Sequence, residues 1–494
     1  MMKSRFHVVR SRLATAIGLT TALTAILWMG VPAGAAGPGT ERVNVSSTGE
    51  EANDASFPGY HSISGDGRFV TFASAASNLV VADTNEAWDL FRHDRSTGQT
   101  IRLSISSAGE QANDHTFNTE SMSPDGNLVA FDSPASNLVP KDTNRRPDVF
   151  VRDVLAATTT RVSVTSEGKQ AQGESFGPSI SADGRVVVFS SEASLVPGDT
   201  NRRVDVYAHN LATGQTSLIS TSSTGKQGND DSFGESVSAD GRFVTFGSFA
   251  DNMVPGDTNG ALDIFLRDTL TGQTTLLSVS SAGQQGDGDS FNSVITPDGR
   301  FVAFSSFADN LVRRDANGFG DAFVRDLKTG KTTLVSKSST GEQGNDDSCC
   351  SKGISGDGRF VAYRSFASNL VPGDTNATGD VFVADRDTGS TVIASVSSAG
   401  EVGNDESFNA GISQDGTWVL LGSLASNLVP NDTNGVPDVF VRGPFGSLQG
   451  LAAAGPTRTS AASSPARASQ CRELSSLQRY MYRLGAAARA ACAL

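Results

Sequence analysis

Ser181-Ala182-Asp183-Gly184-Arg185-Val186-Val187-Val188-Phe189-Ser190 reads as a tight turn feeding a strand. Asp offers a short side chain that bonds its own backbone, and Gly accepts positive φ at no steric cost. The apolar run behind them is β-branched and too short for a helix, the mark of a buried strand. Outward from this stretch the same signature recurs. Its aspartate stands at Asp66, Asp125, Asp183, Asp240, Asp298, Asp357 and Asp415, with spacings of 59, 58, 57, 58, 59 and 58. So regular a period over 494 residues predicts a chain that grows by adding units to a repeat, not by building several separate cores.

Each unit carries further strand signals. After the Asp-Gly strand come a loop, a strand such as Asp148-Val149-Phe150-Val151-Arg152, a Thr-Gly turn, and a strand such as Leu277-Ser278-Val279-Ser280. A Ser-Phe-x-x-x-Ile-Ser segment then precedes the next Asp-Gly. Four strands per unit, several apolar at consecutive positions, predict sheets covered on both faces, as the blades of a propeller cover one another. The fold class expected is all-β: a seven-bladed β-propeller of four-stranded antiparallel blades over residues 39–443. The seventh unit stops after Asp438-Val439-Phe440-Val441-Arg442, one strand short, while Glu41 to Ser47 match that strand ahead of the first Asp-Gly. The N-terminal strand is therefore expected to complete the last blade, leaving no open edges.

The order of these elements, with Ser181-Ala182-Asp183-Gly184-Arg185 opening one strand and Asp321-Ala322-Phe323-Val324-Arg325-Asp326 forming the next, resembles the TolB-type (PD40, WD40-like) propeller repeat family. The resemblance spans about residues 39 to 443 and implies a propeller fold. It implies a role in envelope protein complexes only as a class, because propellers host many activities. The chain departs from the family in a longer loop after the Asp-Gly strand.

The two ends read differently. Lys3, Arg5, Arg10 and Arg12, the apolar run Leu13 to Val31, and Ala33-Gly34-Ala35 predict a secretion signal over 1–36, with an uncleaved anchor as the rival. The protein is expected to be secreted or extracytoplasmic, and monomeric. Residues 444–469 read as a flexible Ala/Ser/Pro linker, and 470–494 as a short basic helical tail with Leu474, Leu477, Met481 and Leu484 on one face. Between the ends lie 29 basic and 52 acidic side chains, a net of −23, which repels phosphate backbones and makes nucleic acid an unsuitable partner. Four cysteines in an exported chain allow three pairings; Cys471 with Cys492 is the one expected.

The loop after the Asp-Gly strand repeats Asp-Thr-Asn-x-x-x-Asp. Its members are Asp83/Asn85/Asp89, Asp142/Asn144/Asp148, Asp199/Asn201/Asp205, Asp257/Asn259/Asp263, Asp315/Asn317/Asp321, Asp374/Asn376/Asp380 and Asp432/Asn434/Asp438. Oxygen ligands at the first, third and seventh positions suit a hard cation, so Ca²⁺ is the candidate cofactor, with extra ligands from neighbouring loops such as Asn53-Asp54 or Asn229-Asp230. The same residues also suit Asx-turns and loop caps repeated because the fold repeats.

Residues that break the consensus carry more functional information than those that obey it. Arg145, Arg146, Arg202 and Arg203 follow the Asn of units two and three and are the candidate binding residues, a basic spot for a carboxylate or phosphate. Cys349 stands where other units have Phe57, Phe117, Phe176, Phe233, Phe291 and Phe408. Catalysis finds little support: His61, His93, His115 and His209 show no metal-ligand spacing, and no nucleophile elbow follows the propeller. The function expected is a non-catalytic scaffold binding a protein, peptide or cell-wall component. The alternative is a polysaccharide hydrolase or lyase using the propeller funnel.

Overall fold

The computed structural model describes residues 38–445 apart from Tyr60. The expected signal (1–36), most of the linker, the tail, and Cys471 and Cys492 lie outside the described residues. Everything described is strand, turn or loop, and no helix there is long and apolar enough to cross a membrane.

Seven four-stranded sheets follow one another along the chain. Blade 3 is typical, with Ser175–Ile180 innermost, then Val186–Ser191, Asp205–Asn210 and Thr216–Leu218, each antiparallel to the next. The second and third strands are buried almost throughout, as their consecutive apolar residues require. The Asp-Gly turn is built as expected. Asp183 Oδ1 accepts from Ser181 Oγ at 2.6 Å and from Arg185 N at 3.0 Å, and Gly184 sits at φ 68. A Cβ on Gly184 would come within 2.5 Å of the Leu128 tip in blade 2, which can shift, so the left-handed backbone is what favours glycine.

The core lies between blades. Ala130, Val149 and Val151 of blade 2 cluster with Ile180, Val187, Phe189 and Tyr207 of blade 3. Aromatic pairs such as Phe246–Phe265 and Phe304–Phe323, with centroids 5.6 and 5.7 Å apart, join second and third strands. A further cluster joins Phe176, Phe233, Phe291 and Cys349 across successive blades, so the cysteine does take the place of the consensus phenylalanine; it is buried and disulfide-bonded.

Closure works as the repeat count implied, but the pairing starts earlier than the expected Glu41 to Ser47. Gly39–Arg42 pairs with Asp438–Gly443, with Gly39 opposite Gly443 and Arg42 opposite Phe440. The fourth strand is shifted likewise: Gln273–Leu276 holds the sheet, while Val279 in the expected Leu277–Ser280 strand bridges to Gln285 of its own loop. The apolar residues at Leu277 and Val279 advertise burial, whereas the ladder is made by the duller Gln-Thr-Thr-Leu before them.

Candidate functional site

The meander places the Asp-Thr-Asn loops and the loops that follow the fourth strands on one face of the disc, and the Asp-Gly and Thr-Gly turns on the other. In blade 2, Asn144 Oδ1 accepts from Arg146 N at 3.0 Å, forming an Asx-turn with Arg145 between them at φ 55. Asn144 Nδ2 donates to Asp148 Oδ2 and to Ala171 O, each at 3.1 Å, and Ser163 Oγ donates to Asp148 Oδ1 at 2.5 Å.

The other six asparagines expected as middle ligands of a cation loop are engaged in the same way. Asn85, Asn201, Asn259, Asn317, Asn376 and Asn434 each turn Oδ1 back to the backbone amide two residues on, at 2.8 to 3.2 Å. Each Nδ2 donates to a carbonyl of the loop that follows a fourth strand, at 2.9 to 3.0 Å. The physical reason is reach. A side chain so short meets its own backbone before it meets anything else, and its amide nitrogen then faces outward as a donor.

What occupies the space between the two aspartates is a glutamine. Gln170 Nε2 donates to Asp142 Oδ1 at 2.8 Å and to Asp148 Oδ2 at 2.9 Å. Gln111, Gln227, Gln285 and Gln343 bridge Asp83 and Asp89, Asp199 and Asp205, Asp257 and Asp263, and Asp315 and Asp321 in the same way, at 2.7 to 3.1 Å. The Asn-Asp pairs named as extra ligands do not reach these aspartates; Asn53 and Asn229 bind Asn78 and Asn252 of the neighbouring loop instead. The bridging glutamine is legible in the sequence, since it recurs with the same period. A donor amide where a cation would sit favours the capping arrangement in these five blades.

The charge balance varies from blade to blade. Arg102 pairs with Asp83 and Asp89, Arg161 with Asp142 and Asp148, and Tyr207 donates to Asp199. In blade 7 the glutamine is replaced by Glu51, and Arg42 sits among Glu51, Asp432 and Asp438, 3.2 Å from the last. These three carboxylates are the only close group of potential metal ligands of their kind among the described residues, and the Arg42 guanidinium already offsets part of their charge. Blade 6 has Val402 in place of glutamine, so no glutamine amide bridges Asp374 and Asp380; Asp380 accepts from Asn376 and Ser395, and Arg364 favours its charged form. Burial, and then Asp380, pushes the Asp374 carboxyl up to about 7; burial pushes Asp380 up to about 6.

The four arginines of the candidate spot do not act alike. Arg146 pairs with Glu174 at 3.4 Å and Arg203 with Asp230 at 3.3 Å, each reaching the adjoining loop. Arg145 and Arg202, both exposed and left-handed, have no ion pair among the described residues.

The inner strands line a central channel, and here too the consensus is broken. Extra residues in units one and two bring His61 and Glu120 onto these strands; Glu235 is blade 4's contribution. Met122 N donates to His61 O at 3.0 Å, joining blades 1 and 2 by a parallel bridge. Glu120 is fully buried: its Oε1 accepts from Gly59 N at 3.0 Å and Ser62 Oγ at 2.9 Å, while Oε2 has no partner. Glu235 accepts from Ser293 N. Burial pushes both glutamates up to about 7 and His61 down to about 4. Nearer the Asp-Gly face the channel holds a cavity of about 100 Å³, walled by Ile63, Met122, Ile180, Val237, Ile295, Ile354 and Ile412, with His61 the single histidine in its lining.

No family model matches the chain, and no curated protein matches it. Solved structures do. An oligogalacturonate lyase from Vibrio parahaemolyticus is 12% identical, over 82% of this chain and 97% of its own, with a TM-score of 0.49. A putative TolB from Agrobacterium tumefaciens is 14% identical, over 61% and 89%, at 0.36. The β-propeller domain of the Trilobed protease from Pyrococcus furiosus is 10% identical, over 80% and 95%, at 0.46. The likeness is one of fold. It carries no activity to this chain.

Proposed function

We propose that this is an exported, monomeric, non-catalytic propeller that binds an anionic group of a protein, peptide or cell-wall component on its Asp-Thr-Asn face. One observation carries the reading. Most aspartates of that face are engaged by glutamine, asparagine, serine or arginine, whereas Arg145 and Arg202, on adjacent blades, present guanidinium groups with no internal ion pair. Arginine at such a position suits bidentate contact with carboxylate or phosphate. Retention of the protein on cell-envelope fractions tests this: replacing Arg145 and Arg202 by Ser should abolish it, while replacing the paired Arg146 and Arg203 should weaken it less. Equal retention of both variants and the parent would sink the reading.

Calcium, expected as a stiffener of all seven loops, has its best case in blade 6, where Val402 leaves the aspartate pair open. There the carboxylates of Asp374 and Asp380 would hold the ion without help from Asn376, whose oxygen is turned to Thr378 N. A second reading, a hydrolase or lyase working on polysaccharide in the funnel, draws on Glu120 and Glu235, whose raised carboxyls suit general acid catalysis near neutrality. Unchanged turnover of a polysaccharide in Glu120→Gln and Glu235→Gln would remove it.

A further inference from the structure

The channel cavity opens among the Asp-Gly turns, on the face opposite the proposed ligand face. Pro124, Ala182, Ala239 and Pro297 form much of its rim, beside Gly65 and Gln414, so a mouth of mixed polar and apolar lining lies open in a strongly acidic body. Around it stand the seven aspartates of the turns. Although burial pushes the other way, hydrogen bonds from their own turns hold the carboxyls of Asp66, Asp125 and Asp240 below the ordinary range, so these are charged.

The last described residue lies on this same face. Phe445 N donates to Thr417 O at 2.8 Å, one residue past the Asp415-Gly416 turn, and the adjoining Gln414 lines the cavity. Beyond Phe445 the sequence runs 49 residues further and holds six arginines against Glu473. Leu474, Leu477, Met481 and Leu484 share one helical face, with Arg479 and Arg483 beside them.

We propose that segment 470–494 is the occupant of this mouth in its own chain, its apolar face on the rim and its arginines toward the turn aspartates. The length is ample: 24 residues separate Phe445 from the segment, and an Ala/Ser/Pro-rich chain of that length behaving as a random coil would span about 25–30 Å on average. So short a tether gives an effective concentration on the order of millimolar, enough for a modest patch to hold the segment. Charge complementarity selects this segment for an acidic rim.

Leu477→p-benzoylphenylalanine in the full chain, irradiated and mapped by mass spectrometry, tests the placement. The expected result is a crosslink within one chain to peptides containing Gly65, Ala182 or Pro297. Crosslinks to the Asp-Thr-Asn face, to residues 1–36, to a second copy, or none at all, would overturn it. Ala182→Arg with Ala239→Arg, checked for native circular dichroism, should abolish the crosslink by repelling the arginines; an undiminished yield in that folded variant would also overturn the proposal.

Discussion

Gln343 places one amide nitrogen 2.7 Å from Asp315 Oδ1 and 2.8 Å from Asp321 Oδ2, and thereby satisfies two carboxyls that the fold buries. Val402 cannot do this for Asp374 and Asp380. Its apolar side chain withholds the bridging donor from a half-buried Asp374, while Asp380 keeps its bonds from Asn376 and Ser395. Val402→Gln should therefore stabilise the protein by about 1 kcal/mol at neutral pH in the presence of EDTA. It should also remove the rise in Tm that millimolar Ca²⁺ is expected to give the parent, because the new amide would occupy the cation's position. Thermal melts of both proteins with Ca²⁺ and with EDTA check the two effects. A parent that ignores Ca²⁺, or a variant that responds as strongly as the parent, would take calcium out of blade 6.

Blade 7 is assembled from the two ends of the propeller, and its loop is stitched by charge where other blades use glutamine. Arg42 comes from the N-terminal strand; Asp432 and Asp438 come from the last unit. Arg42→Gln would leave Glu51, Asp432 and Asp438 within 4.8 Å of one another with no cation between them. Removing one partner of a buried ion pair costs about 3–5 kcal/mol, and urea unfolding should show a loss of that order. Adding Glu51→Gln should restore most of it, since the blade would then carry the bridge used in blades 1 to 5; if the double variant is no better than the single one, the seam is held by its backbone ladder alone. The seam is legible in the sequence only in part. The missing strand and its replacement can be counted, because a repeat makes an absence visible. The identity of the clasp cannot, because Arg42 and Asp438 are 396 residues apart and each looks like an ordinary surface charge. The glutamine bridge escapes for a different reason: its period is visible, but its role depends on which loops the meander brings together. The asparagines are ambiguous in sequence because Asx-turns and cation loops draw on the same residue types. His61, Glu120 and Glu235 are likewise hidden in departures from the consensus whose effect is set by the inner strands' packing.

At the scale of the whole ring, the buried carboxyls set how stability depends on pH. Asp205, Asp263, Asp380 and Asp432 are pushed by burial up to about 6, and Asp321, Asp374, Glu120 and Glu235 up to about 7. An acid whose folded pKa exceeds its unfolded one binds protons in the folded state that the unfolded chain has released. The folded state therefore gains on the unfolded as pH falls from about 7 toward 4.5, and loses as pH rises through the same window. His61 works in opposition: its folded value of about 4 lies below the unfolded 6.5, so acidification below 6.5 favours the unfolded chain. Eight carboxyls outweigh one imidazole even if each contributes only about 1 kcal/mol. Below pH 4 the balance reverses, because Arg68 and Arg242 hold Asp94 and Asp268 far below the ordinary range, and protonating them forfeits those bonds. Stability should peak near pH 5, with Tm there higher than at pH 8 by on the order of 5 °C or more. Asp321→Asn and Glu235→Gln should each flatten the slope between pH 5 and 8 while leaving the fall below pH 4 in place. Calorimetry from pH 3 to 8.5 at constant ionic strength decides it, and a Tm that is level or climbs from pH 5 to 8 would mean that these carboxyls are paired with solvent or cations and not buried as described.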